Sequence, residues 1–95
     1  MRKWLVRIEP RAKRELERTL RWYAVRSPTA AGLFREEVAK ILERLSCFPY
    51  SAPEATSGRR RAHLGRFPIG IDYRVTVKHV EVISVTHDRK YPESD

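Results

Sequence analysis

From Phe67 to Val77 every second residue is apolar. Phe67, Ile69, Ile71, Tyr73, Val75 and Val77 alternate with Pro68, Gly70, Asp72, Arg74 and Thr76. That period of two is the mark of a strand with one buried face and one wet face. Such a strand cannot stand alone: it needs strand neighbours and a layer over its apolar side. The neighbours are legible. Lys78-His79 reads as a tight turn, and Val80, Val82, Ile83 and Val85 read as a following strand that ends near Thr86-His87. Arg59 to Leu64 reads as a basic strand before Gly65, and Trp4-Leu5-Val6-Arg7-Ile8 as a short strand near the start. Together these predict a four-stranded, mainly antiparallel sheet.

The covering layer is helical. Pro10 suits the first position of a helix, where its missing N–H costs nothing. Ala12, Leu16, Thr19, Leu20, Tyr23 and Ala24 then make one apolar face, predicting a helix over 10–26. Ser27-Pro28 restarts the pattern, with Ser27 as N-cap and Pro28 at the first turn. Ala30, Phe34, Val38, Ile41, Leu42 and Leu45 predict a second helix to about Ser46. The one-residue link argues for an antiparallel helical hairpin. Residues 49–58, rich in Pro, Ser, Ala and Gly, read as a loop. The element order is β-α-α-β-β-β, an α+β domain with the hairpin packed on one face of the sheet. At 95 residues the chain is a single domain, 1–95.

Charge narrows the function. Lys and Arg number 20 against 12 acids, net +8, and 15 of the 20 are Arg. Residues 1–26 carry +6, residues 27–57 carry −1 and residues 58–95 carry +3. A chain so basic seeks a polyanion or an acidic protein, and Arg grips phosphate and carboxylate with two donors at once. No apolar run approaches a membrane span of about 18 residues, and the start turns polar at Arg7, unlike a secretory signal. With Cys47 the single cysteine there is no disulfide framework, so a cytoplasmic protein is expected. His63, His79 and His87 lack metal-ligand spacing, and no Gly-rich phosphate loop or nucleophile elbow occurs. Neither metal nor cofactor is expected.

Three constellations carry possible function. Arg11, Arg14, Arg18 and Arg21 stack within roughly 80° of the first helix, opposite its apolar face, with Trp22 at the edge of the stripe. Such a stripe suits either a solvated helix face or a binding face for an acidic partner, and the repulsion between like charges at these spacings favours the second. Arg59-Arg60-Arg61, His63 and Arg66 suit either a basic edge strand that resists aggregation or a phosphate-contacting surface. His87-Asp88-Arg89-Lys90-Tyr91 follows the last strand, where His or Tyr could move protons and Arg stabilise charge.

The series Tyr-Ala-x-x-Ser-Pro-x-Ala-Ala-x-x-Phe from Tyr23 to Phe34 resembles the helix junction of the RelE/ParE toxin superfamily. So does Leu45-x-x-Phe48-Pro49. Phe67-Pro68-x-x-Ile71-x-Tyr73-Arg74-Val75, Val80-x-Val82 and Val85-x-His87-x-Arg89-Lys90-x-Pro92 resemble its strand segment and C-terminal signature. The His-x-Arg-Lys-x-Pro ending is closer to the ParE side. The resemblance implies the toxin of a bacterial type II toxin-antitoxin system, inhibiting DNA gyrase by binding and neutralised by a cognate antitoxin. The target contacts are expected at His87, Arg89 and Lys90, because the helical stripe suits the antitoxin and these residues follow the apolar run Val80–Val85 that anchors the last strand. The antitoxin, with an acidic toxin-binding segment, is expected on Arg11, Arg14, Arg18, Arg21 and Trp22, on a surface separate from the target's, forming a hetero-oligomer. The alternative that the resemblance implies is a RelE-like ribosome-dependent endoribonuclease acting on mRNA. Its candidates are Arg61, Arg74, His87, Arg89 and Tyr91. A bare nucleic-acid-binding module is the remaining reading, resting on the +8 charge alone.

Overall fold

A computed structural model describes residues 3–88. Its elements are β1 (Leu5–Ile8), α1 (Pro10–Arg26), α2 (Pro28–Cys47), β2 (Glu54–Thr56), β3 (Arg59–His63), β4 (Ile69–Val75) and β5 (His79–His87). The sheet has five strands in the order β1-β5-β4-β3-β2; β1 runs parallel to β5 and the other pairs are antiparallel. The α+β class and the helical hairpin stand as expected. The fifth strand is a correction: β2 lies inside the segment that composition marks as a loop. Gly58 makes this possible, at φ 73°, by turning the chain back through the left-handed region that other residues avoid. Its N–H donates to Glu54 Oε2 at 2.9 Å and closes the turn.

Strand limits also shift. Residues 67–68 stay outside β4, and Val77 is 95% exposed rather than on the buried face. The reason is the β4–β5 turn. Thr76 Oγ1 accepts the N–H groups of Lys78 and His79 at 3.2 and 3.0 Å, so pairing stops before Val77 and His79 already begins β5.

Ser27 joins the helices alone. Its own extended backbone ends α1, its N–H donating to Tyr23 O at 2.7 Å. Its Oγ accepts from Ala30 N at 3.1 Å and starts α2. A cap of this type contributes about 1 kcal/mol. Ala12, Leu16, Leu20 and Tyr23 of α1 and Phe34, Val38, Ile41 and Leu45 of α2 then meet Ile69, Ile71, Tyr73, Val80, Val82 and Val85 of the sheet. Ala24, expected on that apolar face, is exposed. Tyr23, Phe34 and Phe67 form an aromatic knot, with ring centroids 5.0 to 5.6 Å apart.

One irregularity aims the last strand. Asp72 pairs with Ser84 but Tyr73 pairs with Val82, so Ile83 is an extra residue in β5. The bulge lets Val80, Val82 and Val85 all face the helices. It also sends Ser84 and Thr86 to the opposite face, beside Asp72.

Candidate functional site

All four arginines of the α1 stripe are exposed. Arg11 pairs with Glu15 Oε2 at 3.3 Å; among the described residues Arg14, Arg18 and Arg21 make no ion pair. Trp22 is 52% exposed. The Arg26 guanidinium lies over its ring, 3.9 Å from the centroid, and donates to Trp22 O at 3.0 Å, while Tyr23 meets it edge-on at 5.0 Å. Cation–π and edge contacts of this sort hold a large exposed ring in one orientation.

Glu15 fixes α1 to the sheet. β1 pairs with β5 only as far as Ile8 and Val82. Beyond that point the N–H of Val85 has no strand to meet, and Glu15 Oε1 accepts it at 2.8 Å. Thus the arginine stripe is held in register with the strand that ends at His87. Spacing alone did not single out Glu15, although an acid within a basic stripe, next to apolar Leu16, was the available signal.

By the period of two, His87 shares the helix-facing side with Val85. His87 borders a cavity of about 380 Å³ with Arg18, Thr19, Trp22, Tyr23 and Pro68. His87, expected on a surface separate from the α1 stripe, thus lies beside the edge of that stripe.

The face away from the helices is ionic. Arg61 Nη1 donates to Asp72 Oδ1 at 2.8 Å and Thr86 Oγ1 at 3.2 Å. Its Nη2 donates to Thr86 O and His87 O, each at 2.9 Å, and to Asp88 Oδ1 at 3.2 Å. His63 Nδ1 also lies 2.8 Å from Asp88 Oδ1. Further along, Arg74 and His79 both engage Glu81, at 3.1 and 3.0 Å. The hydrogen bond from His79, then that from Arg74, holds the Glu81 carboxyl below its ordinary range. Arg60 points the other way, to Ala52 O at 2.7 Å and over the Tyr50 ring, and Arg66 faces Glu37 at 3.8 Å.

Arg61 and Arg74 lie on the open side of the sheet, each engaged by a carboxylate. His87 pairs with the core residue Ile69 and so shares its helix-facing side, while its residue also lines the open-face cavity beside Arg61, Asp72 and Thr86. Arg89, Lys90 and Tyr91 lie outside the described residues. Asp72 and Asp88, the acceptors that organise Arg61, were not singled out by spacing, because their partners come from distant strands. Among the described residues no three His, Cys, Asp or Glu side chains gather as a metal site requires, and no helix is long and apolar enough to cross a membrane.

A helical hairpin on a five-stranded mixed sheet, basic along α1, is the architecture of a small toxin of the RelE/ParE kind. The family of ParE toxins of type II toxin-antitoxin systems, parDE, matches residues 6–92, and the chain belongs to that family. Among solved structures, one described as the chromosomal ParDE TA system from P. aeruginosa is similar, with a TM-score of 0.77 and 18% identity. The match covers 90% of this chain and 96% of that one, and at this identity it establishes the fold. No curated protein matches the chain significantly.

Proposed function

We propose that this ParE-like toxin acts by binding rather than by chemistry of its own, and that its target is DNA gyrase. The observation that carries the binding reading is the fate of Arg61. A phosphate-stabilising arginine must offer free donors to its substrate. Here the guanidinium faces five acceptors of its own chain. Arg74 is likewise engaged, by Glu81. Gyrase as the target is supported by membership of the ParE family. His87, Arg89 and Lys90 are the residues we assign to it, following the apolar run of β5.

The cognate antitoxin would lie along α1. Arg14, Arg18 and Arg21 offer unspent charge to an acidic segment, and Trp22 offers a rigid apolar anchor. Because His87 borders the same cavity as Arg18 and Trp22, an antitoxin seated there would also cover the edge of the target site. A protein with these partners works in the cytoplasm.

The test of the binding reading is a translation-coupled mRNA cleavage assay. The wild-type toxin should leave the mRNA uncut at ribosomal A sites. Specific A-site cuts that disappear in Arg74→Ala and His87→Ala would overturn it.

A further inference from the structure

We infer that Arg61 is a positioning residue for toxicity, holding Thr86, His87 and Asp88 in place at the exit of β5. The inference rests on the reading above that Arg89 and Lys90 meet the target.

The planar fork of a guanidinium addresses several acceptors at once, which an ammonium cannot. One side of Arg61 is fixed by Asp72, whose other oxygen accepts from Ser84 Oγ at 2.8 Å. The remaining donors reach three successive residues of the exit: the carbonyls of Thr86 and His87 and the carboxylate of Asp88. Pro68 O holds Asp88 from the other edge, accepting its N–H at 2.9 Å. β5 has no β1 partner beyond Val82, and its pairing with β4 ends at His87. Without Arg61 the last residues of the strand would keep few contacts and fray, as chain ends do. Gly70 makes the arrangement possible. A Cβ there would lie 2.5 Å from Arg61 Nε and 2.6 Å from Cζ, so the guanidinium rests on bare backbone.

The sequence supplies a clean perturbation. Gly70→Ala keeps every charged group and forces the guanidinium aside. Arg61→Lys keeps one charge opposite Asp72 but loses the fork. For both variants three quantities are measured: amide exchange at residues 86–88, affinity for the cognate antitoxin, and growth inhibition. Chain truncation after Asp88 is measured alongside.

Exchange at His87 and Asp88 should quicken about tenfold or more, the scale of losing a charge-assisted hydrogen bond. Growth inhibition should fall by about tenfold or more, by the same argument, while antitoxin affinity holds within about twofold. A merely structural role would lower antitoxin affinity and growth inhibition together, and that result would overturn the inference. So would a folded Gly70→Ala or Arg61→Lys protein as toxic as wild type when the truncated chain is inactive. A truncated chain that remains fully toxic would remove the reading of the tail and this inference with it, whatever the exchange rates show.

Discussion

Replacing Glu15 by Ala removes the acceptor that holds Val85 N–H where β1 has run out. The Glu15 side chain is 17% exposed, so water replaces it poorly. A hydrogen bond to a charged group at such a site contributes about 1.5–3 kcal/mol. The ion pair with Arg11 adds little, because Arg11 is 65% exposed. For a domain of this size each kcal/mol moves the melting temperature by about 4–8 °C, so Glu15→Ala should melt on the order of 10 °C lower. Glu15→Gln retains an acceptor oxygen and should lose less than about half of that. Thermal melts followed by circular dichroism give the shifts, and amide exchange at Val85 should quicken in the Ala variant alone. If Glu15→Ala melts within about 2 °C of wild type, or if Gln is as damaging as Ala, the account of how α1 is held to β5 is wrong.

Trp22→Ala should weaken binding of the cognate antitoxin by about 30-fold, the effect of losing a hot-spot aromatic worth about 2 kcal/mol; titration calorimetry measures it, and unchanged affinity would reject α1 as the antitoxin site. Burial raises the Tyr73 phenol above its ordinary 10.0, so the folded state holds that proton more tightly than the unfolded state. Stability is then unaffected below pH 10.0 and falls as pH rises from there through the raised value. Tyr73→Phe frees Pro49 O, which accepts the hydroxyl at 2.8 Å. It should cost about 1 kcal/mol at neutral pH and flatten the alkaline decline; urea titrations on either side of pH 10.0 test both effects. The Arg89→Ala, Lys90→Ala double variant should fold, bind antitoxin as wild type does, and inhibit growth less; full toxicity in a folded variant would contradict the assignment.

How much was legible followed the length scale of the cause. Ser27-Pro28 announces the helical junction because cap and break lie in adjacent residues. The alternation over 67–77 announces β4 and its buried face because the period of two is local. The bulge at Ile83 is half legible: adjacent Val82 and Ile83 break the alternation, but which residue is extra depends on the pairing with Asp72 and Tyr73. β2 is illegible because three exposed residues, Glu54–Thr56, carry no apolar pattern and form a strand only by pairing with β3. The same holds at the candidate site. The arginine stripe of α1 is periodic within one helix and could be read directly. Arg61, Asp72, Thr86 and Asp88 come from different strands and the β5 exit, so only topology reveals that Arg61 is occupied. His87 reads as part of a separate terminal surface until the side of β5 it occupies is known.

On the proposed reading this toxin inhibits gyrase by binding through the exit of β5, and the antitoxin blocks it from the α1 side. The direct measurement is supercoiling of relaxed plasmid by purified gyrase with the wild-type toxin, with the toxin preincubated with its antitoxin, and with the Arg89→Ala, Lys90→Ala variant. The account predicts inhibition by the wild-type protein, relief by the antitoxin, and weakened inhibition by the folded variant, more so as salt is raised to screen the remaining contacts. Undiminished supercoiling in the presence of folded wild-type toxin would contradict it.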